Sequence, residues 1–322
     1  MAESRRGLER LSDRALKAMF WTQLEIAQGK LNWVDRLSNF FTSDSDKEEY
    51  PDLDGAPVLA PQINGDNYKS LTPDSLVITN EEFQAGIRVN KKYLRRDKTT
   101  LINQRLSDLA TRSVTHWAKL LTDLIVNGTS TAIGNGSGEY YFTASHSFRM
   151  GSTYSNLLTS SDYSELNVGT AANPTADEFA KALLKVIQHM YSYTDAEGEP
   201  VNDDASEFVC MVPINLMGAA LEAVNSKQLD TGSGSRDNVL GTFNVSVAPN
   251  PRLTTTTEFY VFRADGSMKP LIRQSEVDVE LTYLGPDSEY CATHNGDTLT
   301  KIEAVRNVGY GHWWEAEKAT LS

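Results

Sequence analysis

Residues 76–128 read LVITNEEFQAGIRVNKKYLRRDKTTLINQRLSDLATRSVTHWAKLLTDLIVNG, and two periodicities meet inside them. Leu76-Val77-Ile78-Thr79 is apolar and largely β-branched. After the turn-like Asn80-Glu81-Glu82, Phe83, Ala85, Ile87 and Val89 alternate with Gln84, Gly86 and Arg88, the period of a half-buried strand. The period then changes. Leu101, Leu106, Leu109, Ala110, Val114, Trp117, Leu120, Leu121, Leu124 and Ile125 recur at helical spacing; Asp97 to Thr100 offer N-cap residues and Asn127-Gly128 a stop. The spacing predicts a helix of about 27 residues over about 100–127, a rod of roughly 40 Å. Such a rod exceeds the usual globular helix and reads as a strut.

On the N-terminal side, residues 7–29 show helical periodicity through Leu8, Leu11, Ala15, Met19, Thr22 and Ile26, with Gly29 as C-cap, and a short apolar cluster follows at Leu31, Trp33, Val34 and Leu37. The run Thr42 to Glu49 is polar and has no face to bury. Residues 51–74 hold Pro51, Pro57, Pro61 and Pro73 with Gly55 and Gly65, which predicts extended chain. This segment, returning as the alternating strand, reads as a hairpin arm. A two-stranded ribbon is marginal alone in water, so it is expected to lie on something else, such as another subunit.

On the C-terminal side, residues 128–173 are rich in Gly, Ser, Thr and Asn around an apolar knot, Tyr140-Tyr141-Phe142. A second domain then begins. Thr175-Ala176-Asp177-Glu178 has capping-box form ahead of Phe179, Leu183, Leu184, Ile187 and Met190. A buried strand over Phe208–Val212 passes through Pro213 into a helix from Ile214 to about Ser226. Further strands are predicted at Phe243–Val247, Phe259–Phe262, Val277–Tyr283 and Leu299–Val305. Helices and strands mix without strict βα repetition, so the class is α+β.

The whole chain narrows the function classes. Its 322 residues suit about two domains of roughly 150 residues, and 40% apolar with 23% charged residues excludes a disordered or fibrous chain. Nowhere do 18 apolar residues run together, and the first residues lack the apolar stretch of a secretory signal, so residence in a cytosol is expected. A net charge of −13 disfavours strong nucleic-acid binding. The one dense basic stretch, Arg88 to Lys98, reads first as a solvated strand end. Cys210 and Cys291 lack CxxC spacing and read as structural thiols. Among His116, His146, His189, His294 and His312 no pair has the i, i+4 spacing of a helical metal site. Gly232-Ser233-Gly234-Ser235 lies in a polar loop, neither nucleophile elbow nor phosphate cradle. Glu48-Glu49 and Glu81-Glu82 read as solvated surface, and Trp313-Trp314 as aromatics stacked on a core or a neighbouring subunit. No catalytic, cofactor-binding or metal residue is expected.

Several stretches, in order along the chain, are similar to those of one family. Ala15 to Phe20, on to Gly29, resembles its opening helix, and Ile78 to Phe83 its extended-loop return leading into a long helix. Tyr141-Phe142 followed by His146 resembles an apolar-to-Asp-His loop, with Ser145 in place of the acid. Val212-Pro213 with Leu216, Ala219-Ala220-Leu221 and Val224 resembles a strand-Pro-helix step. Lys269-Pro270-Leu271-Ile272-Arg273-Gln274 resembles a Pro-Leu-Ile-x-Gln signature, and Arg306 to Trp313 an Arg-x-x-x-Gly-Tyr-Gly-x-Trp ending. The chain thus resembles the Mu-like phage major head subunit family, whose members adopt the Hong Kong 97-type capsid fold.

The resemblance implies an N-terminal arm over 1–50, an extended loop over 51–96, a peripheral domain over 97–173 with the spine helix, an axial domain over 174–270 and return strands of the peripheral domain over 271–322. It implies a major capsid protein that self-assembles into pentamers and hexamers of an icosahedral shell around double-stranded DNA, without sequence-specific binding and without a membrane. The implied setting is the virion, assembled in the bacterial host cytoplasm; scaffold, protease, portal and decoration proteins are candidate partners. An uncleaved N-terminus is expected. Candidate assembly contacts are Met19, Trp21, Phe83, Ile87, Arg88, Lys91, Lys92, Arg95 and Arg96. Deletion of residues 51–90 is expected to leave folded subunits that cannot close a shell. The alternatives are an encapsulin-like nanocompartment shell and, from another class, a glycan-active enzyme.

Overall fold

A computed structural model describes residues 17–29, 31–51, 75–95, 99–133, 138–147, 153–195, 198–232 and 234–322. Helix α1 covers residues 17–28 and α2 Asn32–Leu37; strands β1 (Ser38–Thr42), β2 (Lys47–Pro51), β3 (Ser75–Thr79) and β4 (Glu81–Asn90) follow. Then come α3 (Lys91–Arg95), the 28-residue α4 (Thr99–Val126), the short strands β5 (His146–Ser147), β6 (Thr153–Tyr154) and β7 (Leu157–Leu158), and α5 (Ala176–Met190). The remainder is β8 (Glu207–Val212), α6 (Met217–Asn225), β9 (Gln228–Asp230), β10 (Ser235–Asp237), β11 (Asn244–Pro249), β12 (Glu258–Arg263), β13 (Leu271–Leu284), α7 (Glu289–Thr293), β14 (Asp297–Tyr310) and β15 (Ala316–Thr320).

The continuous apolar runs of β8 and β12 require cover on both faces, and they receive it. The mixed sheet β11-β8-β12-β15-β7 turns Phe208, Cys210, Val212, Phe259 and Val261 towards α5 and α6. It turns Val209, Met211, Tyr260 and Phe262 towards Trp117, Ala118, Leu121 and Ile125 of α4. Helix α5 starts with the capping box that its sequence announces: the Thr175 hydroxyl accepts from Glu178 N, and Glu178 accepts from Thr175 N.

The second sheet has the order β1-β13-β14-β4. One face of it packs on α1 and the earlier part of α4 through Phe20, Leu24, Ala27, Leu109, Ala110, Val114 and Ile302. Helix α4 therefore touches both sheets, as a strut should. At about 1.5 Å per residue it is about 42 Å long.

Four expectations need correction. In α1 the buried stripe is Phe20, Leu24 and Ala27; Met19, Thr22 and Ile26 face outwards. The two stripes lie about 100° apart on the helix, and the large Phe20 ring wins the core. Asn80-Glu81-Glu82 is no hairpin turn. The chain passes straight from β3, paired antiparallel with β2, into β4, paired antiparallel with β14. The alternating strand thus belongs to the sheet, and the described ribbon is β2–β3. The polar run Thr42 to Glu49 ends one strand and starts another, with Ser43 buried and its hydroxyl donating to Glu48 Oε1 at 2.9 Å. Finally, residues 271–322 do not all return to one sheet. Strands β13 and β14 join the four-stranded sheet, but β15 lies between β12 and β7 in the five-stranded one. Residues 52–74 with their prolines, and the start of the helix read over 7–29, lie outside the described residues.

Candidate assembly surfaces

The ribbon is rooted by polar side chains that its own sequence does not advertise. Asn80, 7% exposed, donates to Ser43 Oγ at 3.0 Å and Ser45 O at 2.8 Å and accepts from Gln274 Nε2 at 2.9 Å. The Tyr50 hydroxyl donates to Gln274 Oε1 at 2.8 Å. Leu76 and Ile78 turn inwards onto Ile272, while Val77 remains 40% exposed on the outer side beside its cross-strand partner Glu49. Gly309 lies directly under Ile78, and Gly311 under the backbone of Lys269 and Pro270. A Cβ at Gly311 would collide with fixed backbone, and one at Gly309 would force the tip of the Ile78 side chain aside.

The two late motifs meet at this root. Tyr141 stacks on Tyr310 with centroids 4.4 Å apart and donates to Pro270 O at 2.7 Å, and the Tyr310 hydroxyl donates to Leu124 O at 2.8 Å. His146, fully buried, stacks on Trp313 at 4.2 Å and bonds Tyr141 O through Nε2 at 2.9 Å. Burial lowers its pKa to about 4. Trp313 and Trp314 pack inside the core between the two sheets, not on a glycan platform. Burial raises the carboxyl pKa of Glu315 and Glu317; Glu317, on β15, meets His189 Nδ1 at 2.7 Å. Cys210 and Cys291 are both buried free thiols. Among the described residues no cluster of His, Cys, Asp and Glu has the makings of a metal site, and no helix is long and apolar enough to cross a membrane.

Two clefts flank α4 where it crosses the four-stranded sheet. One, of about 410 Å³, lies between α1, α2, β1 and α4 and is walled by Leu24, Val34, Phe40, Trp117, Arg273 and Arg306. The other, of about 330 Å³, runs under β4 past Phe83, His116, Lys119 and Arg252. Burial together with the charges of Arg306 and Lys119 lowers the His116 pKa to about 4.

The model of the phage capsid protein family matches residues 74–290, which takes in α4, α5, α6, four of the five strands of the five-stranded sheet, and β4 and β13 of the four-stranded one. The chain belongs to the phage capsid protein family. The capsid protein is a structural component of the virion, and its mixed α+β fold is that of solved phage shells. It is similar to the procapsid subunit of bacteriophage JBD30, with a TM-score of 0.56 and 14% identity over 97% of this chain and 76% of that one. It is similar to the mature capsid of bacteriophage PhiM1, with a TM-score of 0.56 and 12% identity over 90% of this chain and 86% of that one. A virus-like particle from Pyrococcus furiosus matches with a TM-score of 0.53 and 9% identity over 95% and 98% of the respective chains. No curated protein matches the sequence.

The assembly candidates of this capsid protein divide by location. The Phe83 ring lies 4.4 Å from that of His116, and Ile87 packs against the α1–α4 core, so both turn towards their own chain. Arg88 and Lys92 are exposed; Lys91 N donates to Gly296 O at 2.8 Å and anchors the start of α3. Met19 and Trp21 are 36% and 44% exposed on α1, apart from the β4 group. Arg95 falls in α3 without a described side chain, and Arg96 lies outside the described residues. Arg273, Arg306 and Trp117 were not among these candidates. The signal was present in Ile302-Arg306, where Ile302, Ala304 and Arg306 alternate onto the inner face and set a guanidinium where an aliphatic group would ordinarily pack.

Proposed function

We propose that this capsid protein is a Mu-like major head subunit of a tailed phage, with the Hong Kong 97-type arrangement of arm, extended loop, peripheral domain and axial domain. It self-assembles into pentamers and hexamers of an icosahedral shell enclosing double-stranded DNA. The observation that carries the reading is the family match over residues 74–290, spanning the extended-loop return, the strut, most of the five-stranded sheet and two strands of the four-stranded one. Three features support it: a ribbon with Val77 bare on its outer side, an N-terminal helix presenting Met19, Trp21 and Ile26, and an acidic chain that does not hold packaged nucleic acid to its wall. Apolar groups left bare in one chain gain stability when partners cover them, and repeated weak contacts around a closed shell add by avidity. In this reading the arm is about 1–50, the extended loop about 51–96, the peripheral domain about 97–173 and the axial domain about 174–270. Residues 271–322 return to the peripheral domain except for the final strand. Arg88, Lys91, Lys92, Arg95, Arg96, Met19 and Trp21 contact neighbours, while Phe83 and Ile87 act through the sheet they hold to α4.

Electron microscopy with light scattering on the purified chain tests the reading. Closed shells, tubes or capsomer rings are the expected result, and packaged DNA rather than packaged enzyme separates a phage head from a nanocompartment. A monomer that persists on co-expression with a scaffold protein overturns it.

A further inference from the structure

The cleft of about 330 Å³ between α4 and the β4–β14 edge combines an apolar lining with a surplus of positive charge. Phe83, Ala85, Ile302 and Ala304 supply the apolar part. Arg112 and Lys119 of α4, and Arg252 from the connection between β11 and β12, stand around it, and all three are exposed. Arg112 and Arg252 form no ion pair among the described residues. Lys119 meets Asp123 at 3.9 Å, but both groups are more than half exposed and water screens the pair. The one carboxylate in the lining, Glu303, is engaged by Lys301. The positive charge of the cleft is therefore not answered from within it.

The opposite charge is concentrated on the ribbon. Asp44, Asp46, Glu48 and Glu49 stand against a single cation, Lys47, and no ion pair holds any of them among the described residues. Glu49 lies directly across from Val77, which is 40% exposed, so a carboxylate and a bare apolar side chain share one face. The acidic turn over 195–204 lacks that pairing: it presents no bare large apolar side chain, and Arg263 takes its Asp204. The ribbon cannot fill the cleft of its own chain. It lies on the face of the four-stranded sheet turned away from α4, since Phe41 meets Tyr50 at 5.2 Å while the neighbouring Phe40 meets Trp117 of α4 at 6.2 Å.

We infer that the ribbon of one copy docks on the α4–β4 cleft of the next, with Val77 on the apolar lining and the Asp46 and Glu49 carboxylates on Arg112, Lys119 and Arg252. The spacing agrees. Arg112 and Lys119 are two turns apart, about 10 Å along the helix, and Asp46 and Glu49 are about 10 Å apart along extended chain. A nucleic-acid backbone fits less well, because phosphates seek a run of cations on an open face and have no use for the apolar lining. Donor and receptor are different surfaces of the same chain, so the contact is head-to-tail, the kind that closes into rings.

The inference rests on the self-assembly proposed above and names its receptor, and a charge swap in the full chain separates the two. The cleft is reversed in Arg112→Glu with Arg252→Glu, the ribbon in Asp46→Lys with Glu49→Lys. All four side chains are exposed, so melting temperature should move by about two degrees at most. Each reversed variant should need about tenfold more protein to form particles, and the chain carrying all four changes should return to within about threefold of the unaltered one. Unchanged assembly in either reversal, or no recovery in the combination, overturns the inference. Should a reversal unfold the subunit, a density map of the native shell decides. A neighbouring copy's ribbon against Arg112 and Arg252 upholds it. An empty cleft, an inorganic anion, a nucleic-acid phosphate or a different segment there overturns it while leaving the capsid reading intact. An unaltered chain that forms no particle even with a scaffold protein removes both.

Discussion

The two sheets of this capsid protein are built from strands of different character. In the five-stranded sheet, β8 and β12 each bury five of their six residues, with helices on both faces. In the four-stranded sheet, β4 buries none of its ten, and among the described residues only one face has a helical cover. At about 25 cal/mol per Å² of apolar surface removed from water, the first sheet secures its own fold, while the second leaves surface for another molecule to cover. The difference separates strands whose cover is complete within the subunit from strands that leave surface open.

The comparison breaks most sharply in the core. Phe208→Ala should cost about 3–5 kcal/mol, because α5 and α6 cannot collapse into the gap over a sheet packed on both sides. Thermal or urea unfolding measures this, and a cost near that of a surface change would sink the contrast. Next comes pH. His146 has its pKa depressed by burial to about 4, so its share of stability is whole above about pH 6.5 and is lost as pH falls towards 4, on the order of 3 kcal/mol. Glu315 and Glu317, raised by burial, act in the opposite sense, adding stability as pH falls. In His146→Phe, which keeps a ring on Trp313, melting temperature should fall less between pH 7 and pH 4.5 than in the wild type. An equal fall would remove His146 from the account.

Smaller effects belong to the half-covered sheet. Phe83→Ala should cost roughly 1–2 kcal/mol, since the ring is only partly buried against His116. Trp21→Ser should move subunit stability by no more than about 0.5 kcal/mol yet impair particle formation. Equal assembly with and without Trp21 would leave α1 a purely intrachain element. A ribbon shortened by joining Pro51 to Ser75 through a two-residue turn sharpens the same contrast. Those residues already pair, so the subunit should fold, and electron microscopy should find no closed shells. This replaces deletion of residues 51–90, which would also remove β3 and β4 from their partners.

Local pattern was enough for much of the architecture. The strut helix ended within a residue or two of its spacing, the capping box of α5 formed as written, and Phe208–Val212 and Phe259–Phe262 became doubly buried strands, because side-chain period and cap chemistry are properties of neighbours in sequence. The late motifs carried the resemblance to a capsid family. What they do, wedging glycine backbone under Ile78 and Lys269 and stacking Tyr310 on Tyr141, depends on contacts across the chain.

Tertiary structure alone decided the rest. Ala316-Glu317-Lys318-Ala319-Thr320 holds two charged and no large apolar side chains, yet it is a nearly fully buried strand, because Glu317 finds His189 and Lys318 finds Glu258 at 2.9 Å. Which stripe of α1 turned inwards was likewise settled by the shape of α4 and β14, since both stripes carry apolar residues. The Arg306 cleft exists only where three distant segments converge. Sequence records what each residue can do with its near neighbours; burial of a charge depends on partners hundreds of residues away, and only the packed chain brings those together.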